Sequence, residues 1–483
     1  MSERLPVEVI FQGEPFDRKA VVHTLRHLAM RVGWTITPGA RHRIVYATTE
    51  DPAQIPTGEG DIVILSTPAV KKHLAESHSS FPFETLSEGR FPFPHPKRRE
   101  FDQKGWIGTD VLAGACAVMN LWYERRNRPE QADDWILFAE DWWLRAGWKR
   151  PEPVVDQWLD NIAKAAEFLG WPRLENDRQP TVLLTHDVDY LPSPFSRGLP
   201  RFLRSAARQV ITRRRPGDAL RNAYAYMEAL MHTALPYRDF ERIVAGELSR
   251  GGSSSFQFVA RGGHLHDPAY DLHDPNFLNA LQYLKEKGFE ICLHGSYRAG
   301  DDPGRLAEEK GELESLSGRE IMGHRQHYLH FHPSSFFAGI EKAGLRYDMS
   351  VGYNDTVGPR AGTYFPYQPY DMGQERPFSF WEIPLVLMDT TLATSYRLSP
   401  SEASDAAREE SRRFMEMKGC VSIIWHQEQL GGLLDPGYDQ VYWDLIDELK
   451  RKGVRMTSGC RILKDLNEQW KRTIKDMENS GDR

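Results

Sequence analysis

From residue 181 onward the chain repeats one unit: a short β-rich run, an amphipathic helix, and often a glycine where the helix stops. The β-rich runs cover residues 181–185, 256–260, 289–293, 320–324, 345–349, 382–388, 421–425 and 454–457. Helical spacing fills residues 237–249, 276–287, 305–316, 334–343, 400–417 and 439–452. Gly251, Gly288, Gly344, Gly419 and Gly453 stand where helices end, because glycine enters the left-handed conformation that closes a helix without strain. Strands alternating with helices imply a parallel sheet, since each parallel return needs a crossover. The expected fold class is therefore α/β. Residues 176–470 are expected to form a (β/α) barrel, incomplete and seven-stranded, followed by a tail at 471–483.

The polar residues sit where such a barrel keeps its chemistry. The first run ends in His186, Asp187 and Asp189, and the run at 289 ends in His294. The run at 320 ends in Arg325, Gln326 and His327, that at 382 in Asp389, and that at 421 in His426, Gln427 and Glu428. Singly, each has an ordinary explanation: an Asp after a strand caps a turn, and a His beside an apolar strand is structural. Together, at the C-terminal ends of successive strands, they describe one converging pocket.

Residue types then suggest a reaction. One Asp and two His form a donor set for a divalent metal such as Zn²⁺, with positions left for water and substrate. The metal acidifies a water and polarises a carbonyl. A second carboxylate can serve as general base, a His on the opposite side can protonate a leaving group, and an Arg can hold the base through a bidentate pair. This set suits hydrolysis of an amide or ester.

At these residues the sequence resembles the polysaccharide deacetylase superfamily, the NodB-homology fold of carbohydrate esterases, over about residues 180–467. Thr185-His186-Asp187-Val188-Asp189 is similar to the family's strand-end Thr-Phe-Asp-Asp, with its carboxylates one residue further apart. The resemblance implies Asp187 as catalytic base and Asp189 as metal ligand, and the altered spacing leaves the two roles exchangeable. His294-Gly295-Ser296-Tyr297-Arg298 resembles the family's two-histidine metal motif, but Arg298 occupies the second position, and a guanidinium cannot ligate a metal. Arg325, in Gly323-His324-Arg325-Gln326-His327-Tyr328-Leu329, matches the Arg that orients the base. His327 stands where the family has Pro and is inferred to supply the missing third ligand, with His324 and His186 as weaker candidates. Tyr328 lies where a backbone amide of the family helps form the oxyanion site. Ile424-Trp425-His426 matches the Leu-x-His motif and makes His426 the general acid.

The region before the barrel is less informative. Runs at 7–11, 44–48 and 61–66 read as strands and 17–32 as a helix, a small α/β domain without a glycine-rich phosphate loop. Residues 81–97 read as an irregular loop, and 109–170 as helical. Trp122, Trp135, Trp142, Trp143, Trp148 and Trp158 are expected to pack in a core rather than stack on sugar. Residues 1–175 are thus one N-terminal unit, similar to a domain of unknown role that precedes some variant deacetylases, with its junction at 150–156. Residues 358–367 are either a lid or substrate loop, or an ordinary surface loop.

A net charge of −7 favours no nucleic-acid partner, and Arg213-Arg214-Arg215 reads as a solvated face of a helical linker. Four cysteines in no metal or redox spacing, no signal-like N-terminus and no long apolar run point to a reduced, cytoplasmic protein without a transmembrane segment. The expected function is a metal-dependent hydrolase that removes acetyl groups from an N- or O-acetylated sugar or glycan precursor. A non-catalytic glycan-binding or scaffold protein, a hydrolase of non-sugar C–N bonds, and a glycoside hydrolase using Asp389 or Glu428 beside the Asp pair are the alternatives. Oligomeric state is left open.

Overall fold

The computed structural model describes residues 4–75, 83–86, 89–97, 105–126, 143, 147–174, 178–189, 236–264, 266–268, 272–273, 275–430, 435 and 437–474. Arg213–Arg215, Trp135 and Trp142 lie outside the described residues.

The N-terminal unit is a parallel sheet. Its strands are β1 (Leu5–Gln12), β2 (Trp34–Ile36), β3 (His42–Thr48) and β4 (Ile62–Ser66). After a hairpin of β5 (Phe83–Leu86) and β6 (Gly89–Pro92) comes β7 (Trp106–Ile107), giving the sheet order β2-β1-β3-β4-β7. The hairpin corrects the expected irregular loop at 81–97: residues 83–86 pair antiparallel with 89–92. The helix Arg18–Val32 starts where the Asp17 side chain accepts from the Ala20 N–H at 2.9 Å, and ends where Gly33 turns left-handed at φ 80°.

The second sheet is the expected barrel. Its strands are β8 (Thr181–Val188), β9 (Ser255–Val259), β10 (Glu290–Gly295), β11 (Gly323–Gln326) and β12 (Tyr347–Asp348). After a small hairpin, β13 (Tyr370–Asp371) with β14 (Arg376–Pro377), come β15 (Trp381–Glu382), β16 (Leu385–Met388), β17 (Cys420–Ile424) and β18 (Arg455–Thr457). All pairings within this sheet are parallel, in the order β15-β12-β11-β10-β9-β8-β17-β16, with β18 beside the start of β8.

The first and last strands of this path, β15 and β16, are the two halves of the single run expected at 382–388. Pro384 divides them, as a residue without an N–H does in a ladder. Its carbonyl still accepts from the Ser422 N–H at 2.8 Å, while the Ile383 N–H donates to the Asp348 carbonyl at 2.9 Å. The sheet therefore curls until its two edges meet through Ile383 and Pro384. Every residue of β8 is buried, as parallel strands covered by crossover helices must be.

Of the expected helix-ending glycines, Gly251, Gly288, Gly344 and Gly453 have positive φ. At Gly419 the left-handed residue is instead its neighbour Lys418, φ 54°.

Residues 358–367 are neither lid nor surface loop. All ten are buried, and they tie the barrel to the chain before it. The Asp156 carboxylate accepts from Arg31 Nη1 at 3.0 Å, Thr363 Oγ1 at 2.6 Å and the Tyr364 N–H at 2.7 Å. Arg360, fully buried, lies 3.4 Å from Glu124, and the Val155 N–H donates to the Gly362 carbonyl at 2.9 Å. Gly362, at φ 65°, holds a left-handed conformation that side chains rarely adopt, and a Cβ there would press on Val118, Val154 and Val155 at 3.0–3.2 Å. A buried ion pair of this kind costs about 3–5 kcal/mol when one partner is removed, because the other charge stays behind. One apolar cluster runs from the N-terminal sheet through Trp122, Trp143 and Trp158 into the barrel, so these tryptophans serve packing. Among the described residues, no helix is long and apolar enough to cross a membrane.

Candidate active site

Alternation along β8 sorts its polar residues onto two faces. Thr185 and Asp187 face the barrel interior, and both accept from Arg325 Nη1, at 2.7 and 2.9 Å. Asp189, two residues on, keeps that side: its Oδ1 lies 3.3 Å from His294 Nε2 and its Oδ2 lies 3.5 Å from His327 Nε2. His186, between them, faces outward. Its ring bonds the Trp425 carbonyl and Glu247, both at 2.8 Å. The same parity operates on β11. Arg325 turns inward, whereas His324 turns outward to Asp348 at 2.6 Å. Both weaker candidates for the third ligand are thus committed elsewhere.

The structure brings Asp187, Asp189, His294, Arg325, His327 and His426 together. Asp187, His294, Arg325 and His327 are nearly inaccessible. Asp189 has a quarter of its side chain exposed, 26%, and so marks the mouth of the site. His426 Nε2 is 3.8 Å from Asp189 Oδ2, and His294 Nε2 is 3.7 Å from Asp187 Oδ2. Arg298, by contrast, is exposed on the turn Tyr297–Gly300. Arg325 does not grip Asp187 with both arms as a bidentate pair would: Nη1 serves Asp187 and Thr185, and Nε donates to the Met349 carbonyl at 3.3 Å. In the orientation its surroundings favour, the Gln257 amide nitrogen donates to Asp187 Oδ1 at 3.2 Å.

Among the described residues, Asp189, His294 and His327 offer one ligand atom each within 4.8 Å of one another. Hydrogen-bond chemistry argues that this set fits a cation. His294 Nδ1 faces the Arg325 carbonyl at 2.9 Å, so in the neutral ring Nδ1 carries the proton and Nε2 is a lone pair. That lone pair and Asp189 Oδ1 are two acceptors 3.3 Å apart, and neither has a hydrogen-bond partner among the described residues. Two facing acceptors are relieved by a positive charge between them. One carboxylate and two imidazoles match the donors of a catalytic Zn²⁺ site.

Charge is unevenly shared in the pocket. Burial works to raise Asp187, but Arg325, His294 and His426 outweigh it and hold its carboxyl below the usual range. Burial likewise opposes ionisation of Asp189, yet His327 and His294 bring it well below. Burial would lower His327, but Asp189 and Asp267 raise it to about 9. Burial also disfavours a charged His426, and Asp389, Asp189 and Asp187 overcome this to raise it well above an ordinary histidine.

Three further carboxylates lie beside these residues. Asp389 accepts from His426 Nδ1 at 2.6 Å. Asp267 Oδ1 lies 3.6 Å from His327 Nδ1. Glu428, raised to about 8 by burial and by Asp189, faces the same pocket. Asp389 and Glu428 carried the strand-end signal; Asp267 lies in a loop and carried none.

The turn that follows β11 is strained. Tyr328 and Leu329 both have positive φ, 57° and 50°, a conformation that side chains disfavour. Asn354 Nδ2 donates to the Tyr328 carbonyl at 2.6 Å and helps to hold it. The Tyr328 ring is 45% exposed beside the His327 ring, with centroids 4.6 Å apart. Gly295 leaves room for the side chains of β11: a Cβ there would stand 2.5 Å from Gln326 Oε1 and 2.6 Å from His324 Nε2.

No family model matches the chain, and no curated protein matches it in sequence. Solved structures similar to it include a protein described as a polysaccharide deacetylase from Mycobacterium smegmatis, 17% identical, covering 62% of this chain and 94% of its own, with a TM-score of 0.42. A Pseudomonas aeruginosa protein of the same description is 16% identical, with coverages of 62% and 98% and a TM-score of 0.40. Puue allantoinase is 15% identical, with coverages of 63% and 98% and a TM-score of 0.40. The chain is thus similar to solved structures that carry these descriptions.

Proposed function

We propose that the chain is a metal-dependent hydrolase that removes acetyl groups from an N- or O-acetylated sugar or glycan precursor. The observation that carries this reading is the pair of facing acceptors, Asp189 Oδ1 and His294 Nε2, with His327 beside them. Asp189, His294 and His327 would hold a divalent cation such as Zn²⁺, which when bound supplies Lewis acidity toward a water and an acyl oxygen.

The remaining groups divide the proton work. Asp187, kept ionised by Arg325, takes the proton of the attacking water as that oxygen bonds to the acyl carbon. His426, kept protonated by Asp389, gives its proton to the departing amine or alkoxide as the C–N or C–O bond breaks. An ionised base and a protonated acid at one neutral pH are what hydrolysis needs, and a glycan-binding scaffold needs neither. The glycoside-hydrolase alternative finds less support, because Asp389, one of the carboxylates it would add to the Asp pair, spends both oxygens on His426.

The test is acetate release from N-acetylated and O-acetylated saccharides by Zn²⁺-loaded protein, beside chelator-treated protein and the Asp187→Asn variant. The proposal expects release from loaded wild type, none after chelation and none from the variant. Zinc-loaded protein that binds such saccharides but releases no acetate would instead be the glycan-binding alternative. Ammonia release from a non-sugar amide or ureide without acetate release would be the C–N hydrolase.

A further inference from the structure

We infer that Asp267 is the positioning residue for His327, fixing the ring so that Nε2 points at Asp189. This inference rests on the proposed metal reading and adds a residue to it. His327 has one nitrogen toward each of two carboxylates: Nε2 is 3.5 Å from Asp189 Oδ2, and Nδ1 is 3.6 Å from Asp267 Oδ1. Nδ1 is buried and has no hydrogen-bond partner among the described residues, so the Asp267 carboxylate is the acceptor its N–H faces. A proton held on Nδ1 leaves the Nε2 lone pair for a cation. Carboxylates behind metal-binding histidines do this generally, and losing one typically weakens metal binding 10–100-fold.

Asp267 is itself buried and hydrogen-bonded. Its side chain is 1% exposed. Oδ1 accepts from the Tyr297 N–H at 2.7 Å, and Oδ2 from the His264 N–H at 2.9 Å. The rings of those two donor residues are stacked, with centroids 4.4 Å apart and planes 8° from parallel, and Tyr297 stacks in turn on His330 at 4.0 Å. The carboxylate is thus held by two backbone N–H groups whose residues also pack ring on ring. His294 needs no such carboxylate, because the Arg325 carbonyl accepts from its Nδ1–H. The centre therefore uses a backbone acceptor for one histidine and Asp267 for the other. With Arg298 exposed on its turn, the second histidine comes from the turn after β11 and its orienting acid from the loop after β9.

The experiment measures apparent Zn²⁺ affinity of the full chain by competition with a chromophoric chelator. The proteins are wild type, Asp267→Asn, Asp267→Glu, His327→Ala and the double variant Asp267→Asn/His327→Ala. Asp267→Asn is expected to bind Zn²⁺ about 10–100-fold more weakly, and Asp267→Glu, which keeps a carboxylate, to recover part of the loss. In the His327→Ala background Asp267→Asn is expected to cost nothing more, because a positioning residue has nothing left to position. Unchanged affinity in Asp267→Asn, or full additivity in the double variant, would overturn the inference while leaving the metal centre standing. Wild type that takes up no Zn²⁺ would overturn the metal centre itself, and the inference with it. Thermal unfolding of the metal-free proteins separates these effects from loss of the fold, and the Asp267→Glu comparison decides the matter should Asp267→Asn fold poorly.

Discussion

Asp389 holds His426 at two points: its Oδ1 takes the ring Nδ1–H at 2.6 Å and its Oδ2 takes the backbone N–H at 2.8 Å. The first contact fixes the tautomer, leaving Nε2 toward the pocket. The second locks the end of β17 to the end of β16. One carboxylate thus orients the imidazole and keeps it charged.

Asp389→Asn is therefore expected to lower kcat for acetate release by roughly a hundredfold or more, with KM and zinc content nearly unchanged. The direction of the pH effect also follows. Asp389 raises His426, and His426 must be protonated to act as an acid. Removing that charge lets the proton leave at lower pH, so the alkaline limb of the kcat profile moves down in pH. An unmoved limb would remove His426 from the acid role.

Asp187 and Asp189 are two residues apart and on one face, yet their surroundings differ. Asp187 sits on Arg325 and Thr185, while Asp189 sits between two imidazoles. Asp187→Asn is expected to abolish turnover while retaining zinc, and Asp189→Asn to lose zinc. Elemental analysis of the two purified variants checks this, and the opposite pattern would exchange their roles.

A separate titration lies where the helix Arg18–Val32 meets the barrel. His23 is buried with its Nε2 on the Gln368 carbonyl at 2.8 Å, and His27 lies beside it at 3.3 Å. Burial, aided by Arg26, lowers His23 to about 4 against the Gln368 hydrogen bond. The folded state thus refuses a proton that the unfolded state accepts below about 6.5, so this group's share of stability falls as pH drops from there toward 4. Asp110 and Asp156, which burial raises to about 6, act in the opposite direction over an overlapping range. The informative quantity is a difference. From pH 7 to pH 5, wild type is expected to lose about 2 kcal/mol more than His23→Gln, by linkage from the shifted histidine. Parallel unfolding curves for the two proteins across that range would contradict it.

Much of the barrel was legible because its signals are local. A buried parallel strand is a short apolar run, its crossover is an amphipathic helix, and the residue after the run lands on the barrel's rim. Period-two alternation also places Asp187, Asp189, Arg325 and His327 on one side and His186 and His324 on the other. What was not legible depends on distant partners. Asp389 and His426 are 37 residues apart, and nothing near either names the other. Residues 358–367 carry the Pro and Gly of a surface loop, but their burial is set by Asp156, Glu124 and Val155 from an earlier segment. Strands β2 and β7, of three and two residues, are too short to show a period. The pair β5 and β6 lies within a Pro- and Phe-rich stretch that hides its alternation.

Asp189, His294 and His327 are proposed to hold one metal ion. Zinc X-ray absorption on the Zn²⁺-loaded full chain, with metal content measured for wild type and His327→Ala, tests it most directly. The expected result is one zinc per wild-type chain, with two imidazole nitrogens and carboxylate oxygen at about 2.0–2.2 Å, and a large loss of zinc in His327→Ala. Wild type without zinc, or a spectrum with one imidazole that is unchanged in His327→Ala, would contradict it.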